Sequence, residues 1–317
     1  MRKTKVISIG FIGAGYMAEE HMRVFSKIPN TELSAIYSRT PKKAANLRAK
    51  YKIKKNYINL NEFCNSSKIK LVVIAVNEES LLEICKKTFK FNFIHLIEKP
   101  VGINYEQSVY ILDLAKKNKT KVFVSLNRRF YSSTIKLKKL LKSDKNKRII
   151  NIIDQENTII PLKNGINKNV VNNWMYANSI HLIDFAYNLS RGNIIKIDRK
   201  IISKYSNIKF LLAQIYFSSG DIVNYQAFWN LTAPWSVSVS TRSKYYLMQP
   251  IEKLSYKNNK SHNFINFPIT KEDIKYKPGI YKQNYELIDS LLNKNKFSLP
   301  NIIYSNKLMK LINGIYS

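Results

Sequence analysis

The fold is decided by residues 6–18, which read VISIGFIGAGYMA. The apolar run from Val6 to Ile12 predicts a buried parallel strand, because a strand covered on both faces shows little polar alternation. The run enters Gly13-Ala14-Gly15-Tyr16-Met17-Ala18, which has the G-x-G-x-x-G/A form of a dinucleotide-binding turn. Gly13 allows the tight turn, and Gly15 lets the backbone approach a pyrophosphate. The stretch therefore predicts a strand, a phosphate-binding turn and a helix.

The helix after this turn is expected over about residues 16–27. Its first residues, Tyr16 and Met17, bring free N–H groups toward the phosphates, because the first turn of a helix leaves its N–H groups without partners inside the helix. We therefore place both residues among the cofactor contacts, together with the two glycines.

A second strand, residues 32–37, follows at βαβ spacing and ends in Ser38-Arg39-Thr40. An acidic residue at this place accepts a hydrogen bond from the ribose 2′-hydroxyl of NAD, whereas a Ser-Arg pair suits a 2′-phosphate. The sequence therefore favours NADP(H) over NAD(H), with Ser38, Arg39 and Thr40 at the adenosine ribose. The alternative for Arg39 is a solvated loop residue.

The first 125 residues alternate strand and helix, and the next 192 change pattern. We predict a Rossmann-type, doubly wound parallel sheet in residues 1–125 and an α+β domain with a mostly antiparallel open sheet in residues 126–317. The first is expected to bind the dinucleotide, and the second to bind substrate and form oligomer contacts. These are the predicted elements: strands 5–12, 32–37, 69–76, 93–97, 121–125, 149–156, 194–203, 208–217, 221–229, 235–241 and 244–248; helices 16–27, 41–51, 78–90, 104–118, 131–142, 174–190 and, as the last, 280–293; irregular segments 157–173 and 250–275.

Composition excludes several classes of protein. With 45% hydrophobic and 23% charged residues, the chain is too apolar to be disordered. Two cysteines build neither a disulfide framework nor a four-ligand zinc site, so a reducing, cytoplasmic setting is expected. No apolar run reaches about 18 residues, the length that a membrane span needs. The four histidines lack His-x-x-x-His spacing, so no metal is expected.

The net charge of +32 has two interpretations. It indicates an anionic partner, either a phosphorylated ligand or nucleic acid. Alternatively, it reflects the abundance of Lys, Asn, Ile and Tyr along the whole chain, since the lysines form no single stripe or tail. We favour the second interpretation and expect no nucleic-acid role, because no zinc, basic-zipper or RNA-recognition motif is present.

Glu98-Lys99-Pro100 follows the strand predicted to end at Ile97, at the sheet edge where open α/β sheets bind ligands. With the glycine turn, with Asn127-Arg128-Arg129-Phe130 and with Ser179-Ile180-His181-Leu182-Ile183-Asp184, this gives four ordered motifs. In these motifs the chain resembles the Gfo/Idh/MocA oxidoreductases, the family of glucose–fructose oxidoreductase and inositol dehydrogenase. The resemblance covers essentially the whole chain.

The resemblance implies hydride transfer between a nicotinamide and the hydroxyl or keto carbon of a sugar, nucleotide-sugar or cyclitol. It implies that Lys99 contacts the reacting hydroxyl and shares proton transfer, that His181 is the second acid/base group, and that Glu98 and Asn77 lie at the cofactor. Removing a hydroxyl proton as hydride leaves is work that a histidine performs near neutral pH. A homodimer or homotetramer is also implied, and the aromatic residues Tyr216, Phe217, Tyr225, Phe228 and Trp229 are compatible with such a surface or with ordinary core packing.

Of four further residues, Asp184 and Arg129 keep two interpretations each, and Asn178 and His21 have one each. Asp184, three residues after His181, orients the imidazole or touches substrate, or else pairs with a basic neighbour. Arg129 reaches an acidic substrate group or the cofactor, or else is solvated. Asn178 is a polar candidate for substrate contact, although an amide is no base at neutral pH. His21, in the first helix, is expected to be structural.

The sequence departs from the family pattern at three places. An Asp is common four residues before the histidine, and this position is Ala177. A Thr-Pro pair after the third long strand reads Val76-Asn77, and the histidine usual shortly after it is Leu81. These changes leave Lys99 intact but remove a proton-relay carboxylate. The second hypothesis is therefore a catalytically weak dinucleotide- or sugar-binding sensor or accessory protein of the same fold.

Overall fold

The computed structural model describes residues 5–65, 68–205 and 208–317, which form two compact units. The first unit is built on a six-stranded parallel sheet with the strand order β3-β2-β1-β4-β5-β6. This is the order of a doubly wound fold, as predicted, and its direction reverses between β1 and β4. The strands are β1 Ile7–Ile12, β2 Thr31–Tyr37, β3 Lys55–Tyr57, β4 Leu71–Ile74, β5 Ile94–Glu98 and β6 Lys121–Ser125.

Helices connect these strands, four of them where the sequence predicts them, and a fifth, Leu60–Cys64, is not predicted. Pro41 begins its helix, as its fixed φ and missing N–H favour. Strand β3 was missed, because three residues with two polar side chains at a sheet edge give no apolar run. The helices are α1 Tyr16–Phe25, α2 Pro41–Tyr51, α3 Leu60–Cys64, α4 Glu78–Thr88 and α5 Tyr105–Lys117.

The second unit contains an eight-stranded sheet with the order β14-β13-β12-β11-β7-β10-β9-β8. Only β7 and β10 pair in parallel, so the mostly antiparallel prediction is confirmed within the described residues. Ser219-Gly220-Asp221 makes the predicted turn between β9 and β10, with φ of +81° at Gly220. The strands are β7 Ile149–Glu156, β8 Ile194–Tyr205, β9 Ile208–Phe217, β10 Ile222–Trp229, β11 Ser236–Ser240, β12 Lys244–Met248, β13 Leu254–Asn258 and β14 Ile265–Asn266.

One face of this sheet forms a core. Along β10, Tyr225 and Trp229 are buried and Phe228 is half-buried on the other face, while Phe217 of β9 is buried and Tyr216 is not. The five aromatic residues considered as one surface therefore divide between two faces, because successive side chains of a strand point to opposite sides. The helices are α6 Ser132–Lys142, α7 Ile159–Lys163, α8 Lys168–Asn172, α9 Ile180–Leu189 and α10 Lys271–Lys275, with a 3₁₀ turn at Asn127–Phe130.

Four segments differ from prediction. The helix expected over 174–190 is a π-helical turn, Met175–Ser179, followed by α9. Residues 157–173 contain α7 and α8, and residues 250–275 contain β13, β14 and α10, which are too short to show a clear periodicity. Two helices rather than one close the chain: α11 Ile280–Asn293 and α12 Ile302–Tyr316.

The domain boundary is also different from the predicted one. The first unit contains residues 1–127 and 275–307, and the second contains residues 128–274 and 308–317. The first crossing lies close to the predicted boundary, but residues 275–307 return to the Rossmann-type sheet. There, Val124 of β6 donates a backbone hydrogen bond to Pro300, and the rings of Phe123 and Phe297 lie 4.6 Å apart. These contacts join residues far apart in sequence.

Candidate functional site

The glycine turn lies where the strand order of the first unit reverses. Gly13 follows β1 with φ of +114°, and its N–H donates to the carbonyl oxygen of Tyr37 at 2.8 Å. A Cβ added at Gly13 would lie 2.1 Å from the carbonyl oxygen of Ala75, just after β4. The fold therefore requires glycine here for both conformation and space.

Gly15 has the opposite surroundings. It is exposed, it caps the start of α1 with φ of −90°, and no heavy atom lies within 4 Å of a Cβ added to it. The protein itself therefore leaves room beside this backbone. That room, next to the unpaired N–H groups of the first turn of α1, fits a diphosphate. The residues present thus fit the dinucleotide that the turn implies.

A cleft of about 790 Å³ opens from this turn, a volume within the usual range for small-molecule sites. Its lining includes six of the predicted cofactor residues: Gly13, Gly15, Ser38, Arg39, Thr40 and Asn77. Tyr16, Met17, Glu98 and Lys99 are described by the structure but lie outside this lining. Tyr16 is exposed, with 65% of its surface accessible.

Arg39 and Asn77 approach each other at the cleft. An Nη2 N–H of Arg39 donates to Oδ1 of Asn77 at 3.2 Å, and the backbone N–H of Thr40 donates to Oγ of Ser38 at 3.2 Å. The contact joins the loop after β2 to the first residue before α4. Arg39 is therefore held at the cleft by the residue that replaces the proline of the family pattern.

Four charged residues that the sequence pattern does not single out also line the cleft. Lys43 and Lys87 supply positive charge, and Glu79 and Glu83 supply negative charge. Lys43 lies in the first turn of α2, four residues after Arg39, and its position beside the Ser-Arg pair was the signal available in the sequence. Glu79, Glu83 and Lys87 carry no comparable signal, because they follow one another at four-residue spacing along an ordinary helix, α4.

Lys99 follows directly after β5 and is half-buried at the carboxyl edge of the sheet. The preceding Glu98 carboxylate accepts from Nε2 of His21 at 2.8 Å. Burial by itself raises the pKa of Glu98, but the hydrogen bonds of His21 and Ser125 and the charge of Lys99 outweigh burial and lower it. Glu98 is therefore a buried carboxylate held ionised, and His21 has the structural role expected of it.

In the second unit, Arg129 and Asp184 form a bidentate ion pair. Nε and Nη2 of Arg129 donate to the two carboxylate oxygens of Asp184 at 2.6 and 2.7 Å. Of the two interpretations of Asp184, the structure shows the pairing with a basic neighbour. His181 is buried on the same helix, α9, with 8% of its surface accessible.

Two buried acids in β7 were not found from the sequence. Asp154 and Glu156 lie on the same strand face as Ile150 and Ile152 and are 0% and 1% exposed. Glu156 accepts from Nδ2 of Asn178 and from Oγ of Ser179, both at 2.9 Å. The signal was available, because two acidic residues stand where the alternation of the strand calls for apolar ones.

The three departures from the family pattern occupy different surroundings. Ala177 is buried within the π turn, and Leu81 is buried in α4. Val76 and Asn77 both line the cleft. Among the described residues, no group of three or more His, Cys, Asp and Glu side chains is arranged to hold a metal ion, and no helix is long and apolar enough to cross a membrane.

Known proteins resemble this chain in sequence and in fold. Residues 7–126 match the GFO_IDH_MocA family, described as an oxidoreductase family with an NAD-binding Rossmann fold. An inositol 2-dehydrogenase/D-chiro-inositol 3-dehydrogenase of Lactiplantibacillus plantarum is 24% identical over 144 residues, which are 44% of this chain and 41% of the relative. The match thus spans about two fifths of the length of that curated relative.

Two solved structures share the fold over nearly all of this chain. A putative NADPH-dependent oxidoreductase from Desulfitobacterium hafniense has a TM-score of 0.84 and 14% identity, with 98% of this chain and 94% of that chain covered. A UDP-N-acetylglucosamine 3-dehydrogenase from Acidithiobacillus ferrooxidans has a TM-score of 0.77 and 11% identity, with 98% and 96% covered. At these identities the likeness bears on the fold alone.

Proposed function

We propose that this chain, whose residues 7–126 match the Gfo/Idh/MocA oxidoreductase family, is an NAD(P)-dependent oxidoreductase that acts on a hydroxyl or keto carbon of a sugar, nucleotide-sugar or cyclitol. The observation that carries the proposal is the cleft of the first unit. There, the open backbone at Gly15 and the polar loop Ser38-Arg39-Thr40 line one cavity. The inositol dehydrogenase and the UDP-sugar dehydrogenase named above support the substrate class by analogy.

In this proposal, the chain's own residues hold and transfer the proton of the reacting hydroxyl. When bound, the nicotinamide supplies the hydride acceptor or donor. Lys99 contacts the reacting hydroxyl and shares its proton, and His181 is the second acid/base group. Glu98, directly before Lys99 in the sequence, keeps a negative charge. Arg129, Asn178 and Asp184 are the further substrate-binding candidates, with Arg129 and Asp184 acting as the pair described above.

NADP(H) is the preferred cofactor in this proposal. Arg39 lines the cleft at the end of β2, where an NAD-specific site carries an acid, and Lys43 adds a second positive charge to the same lining. A guanidinium group binds a phosphate through two parallel hydrogen bonds. The proposal also includes a cytoplasmic location, which rests on the two cysteines of the chain, and a homodimer or homotetramer, which rests on the family resemblance.

Purified protein tests the proposal most directly with bound-ligand identification and a turnover assay on a panel of sugars, UDP-sugars and cyclitols. We expect NADP(H) to bind and one substrate class to turn over. Lys99→Ala should lower kcat by about 10²- to 10⁴-fold, as expected for loss of a general acid/base, with dinucleotide Kd little changed. Unchanged turnover in this variant would remove Lys99 from the mechanism.

A second candidate function is favoured by Ala177 and by Val76-Asn77. A catalytically weak sensor or accessory protein would bind the dinucleotide in the same cleft without the relay carboxylate. It predicts tight NADP(H) binding with no turnover on the whole panel, and a change in the binding of a second ligand when the dinucleotide is present.

A further inference from the structure

The π turn Met175–Ser179 immediately precedes α9, and His181 is the second residue of α9. A π turn takes one residue more than an α-helical turn and is frequently found at functional sites. The extra residue rotates every side chain that follows by about 100° relative to an uninterrupted α-helix. The direction of the His181 ring therefore depends on how this turn is held.

Glu156 of β7 contacts this turn through two hydrogen bonds. Its Oε2 accepts from Nδ2 of Asn178 and its Oε1 accepts from Oγ of Ser179, each at 2.9 Å. Glu156 and Ser179 are 1% and 0% exposed, so both contacts are shielded from water. One carboxyl group thus engages two consecutive residues of the π turn, beside Ala177, where the family pattern has its carboxylate.

Several titratable groups surround this carboxyl group. Asp154 lies two residues earlier on the same face of β7, and a side-chain hydrogen bond joins the two acids. Tyr225 of β10 donates from its hydroxyl to Oδ2 of Asp154 at 2.6 Å, and its hydroxyl lies 2.8 Å from that of Tyr316 of α12. The positive charge of Arg128 also acts on Asp154.

Burial raises the pKa of both acids and so favours a proton on the pair. Oδ1 of Asp154 is buried and has no hydrogen-bond partner among the described groups. A proton on Glu156 supplies a donor for this oxygen, because a carboxylic acid has one O–H. Burial first, and then the charge of Asp154, raise the pKa of Glu156 to about 9. Burial and the charge of Asp154 thus favour a protonated Glu156, and both of its oxygens are placed to accept from Asn178 and Ser179.

We propose that Glu156 is a positioning residue for His181: where the chain has Ala177 instead of a carboxylate, the carboxyl group of Glu156 fixes the π turn that leads into α9. The role of His181 in catalysis rests on the proposed function, but the coupling between Glu156 and the His181 ring is a property of the second unit alone.

The coupling is measured by NMR on the full-length protein labelled with ¹⁵N-histidine, between pH 6 and 10. The His181 signals are assigned by their loss in His181→Ala. In the wild-type protein these signals should shift as Glu156 ionises near pH 9, a change we call the alkaline step. Glu156→Gln keeps a neutral group of the same shape, so its His181 signals should match the wild type at neutral pH and lack the alkaline step. Glu156→Ala should displace them already at pH 7.

Asp221→Asn is the matched control, since Asp221 is also a fully buried acid of the second unit but pairs with Arg191, just beyond the other end of α9. It should leave the alkaline step in place. An alkaline step that persists in Glu156→Gln overturns the proposal, and so do His181 signals of Glu156→Ala that match the wild type. If Glu156→Ala does not fold, the Gln variant decides.

Turnover gives a second readout. Glu156→Ala should lower kcat by about 10²-fold with NADPH affinity unchanged, as expected when a reacting group is misplaced by about 1 Å, and Glu156→Gln should stay within about threefold of the wild type at pH 7. Equal kcat for the wild type and the Ala variant would overturn the positioning role. A wild-type protein without turnover would contradict the proposed function but leave the NMR test of the coupling intact.

Discussion

Nε2 of His21 lies 2.8 Å from Oε1 of Glu98, directly beside Lys99 in sequence, and Nδ1 of the same ring lies 3.0 Å from the amide nitrogen of Asn284. Because the amide of Asn284 donates to Nδ1, the ring proton is on Nε2 and is donated to Glu98. His21 is fully buried and Glu98 has a side-chain exposure of 10%. The pair therefore ties α1, α11 and the end of β5 together inside the first unit.

We expect His21→Ala to destabilise the protein by about 3 kcal/mol at pH 7, because removing one partner leaves a buried carboxylate without its main donor. The measurement is urea unfolding at pH 7 and at pH 4. The difference from the wild type should shrink at pH 4, where the loss of the His21 contact lets Glu98 take up a proton at lower cost. A His21→Ala protein as stable as the wild type at pH 7 would show that water replaces the imidazole.

Much of the first unit follows from local sequence. Continuous apolar strands such as Leu71–Ile74 predict a sheet covered on both faces, and the glycine pattern predicts the turn at which the strand order reverses. The return of residues 275–307 does not follow from any local pattern. It depends on pairings such as Phe123 with Phe297, and neither segment carries a signal for the other.

The residues of the candidate site also divide into those that local sequence predicts and those that it does not. Residues held by one loop, such as Gly13, Gly15 and Arg39, could be assigned from motif and position, and they line one cleft. The Asp154–Glu156 pair could not be assigned, because its partners come from β10, α12 and the π turn. Only the position of two acids on an apolar strand face indicated that something polar had to meet them.

Substitution of the two glycines of the turn should have different effects, one on dinucleotide binding and the other on folding. Gly15→Ala should fold with an unchanged Tm, because its Cβ meets no protein atom and φ is −90°. It should weaken dinucleotide binding by tenfold or more, since the methyl group takes the space proposed for the diphosphate. Tm and NADPH titration of the same preparation measure both effects.

Gly13→Ala is the matched contrast. Its Cβ would lie 2.1 Å from the carbonyl oxygen of Ala75, and its φ of +114° is strained for any other residue. The conformation alone costs about 1–3 kcal/mol, and the clash adds to it, so we expect poor folding rather than a selective binding defect. A Gly15→Ala protein that binds NADPH like the wild type would exclude this backbone as the phosphate site.

Arg39→Ala tests the cofactor preference. Loss of a charged hydrogen bond costs about 1.5–3 kcal/mol, so NADPH binding should weaken by roughly 10- to 100-fold while NADH binding changes by less than about threefold. Arg48→Ala is the control, because Arg48 is an exposed arginine of α2 outside the cleft lining. Equal losses for the two dinucleotides would contradict the assignment of Arg39 to the 2′-phosphate.

The pH dependence of stability separates two of the buried acids of the second unit, Asp221 and Glu156. Burial raises the pKa of Asp221, but its bonds with Arg191 and with the backbone outweigh burial and lower it. Its contribution is therefore present above the ordinary Asp pKa of 3.8 and is lost as the pH falls through the lowered value. Asp221→Asn should be less stable than the wild type at pH 7, with a smaller difference below pH 4.

The contribution of Glu156 to stability changes with pH in the opposite direction to that of Asp221. The pKa of Glu156 is raised to about 9, so between pH 4.5 and 9 the folded protein keeps a proton that the unfolded chain releases. The wild type therefore loses stability relative to Glu156→Gln as the pH rises through this window, by at most about 1.4 kcal/mol per pH unit, and the difference stops changing above pH 9. Urea unfolding of both proteins at pH 5, 6, 7, 8 and 9.5 gives the slope. A difference that is constant across the series would mean that Glu156 is already ionised in the folded protein, and the acid pair would then need another donor for Oδ1 of Asp154.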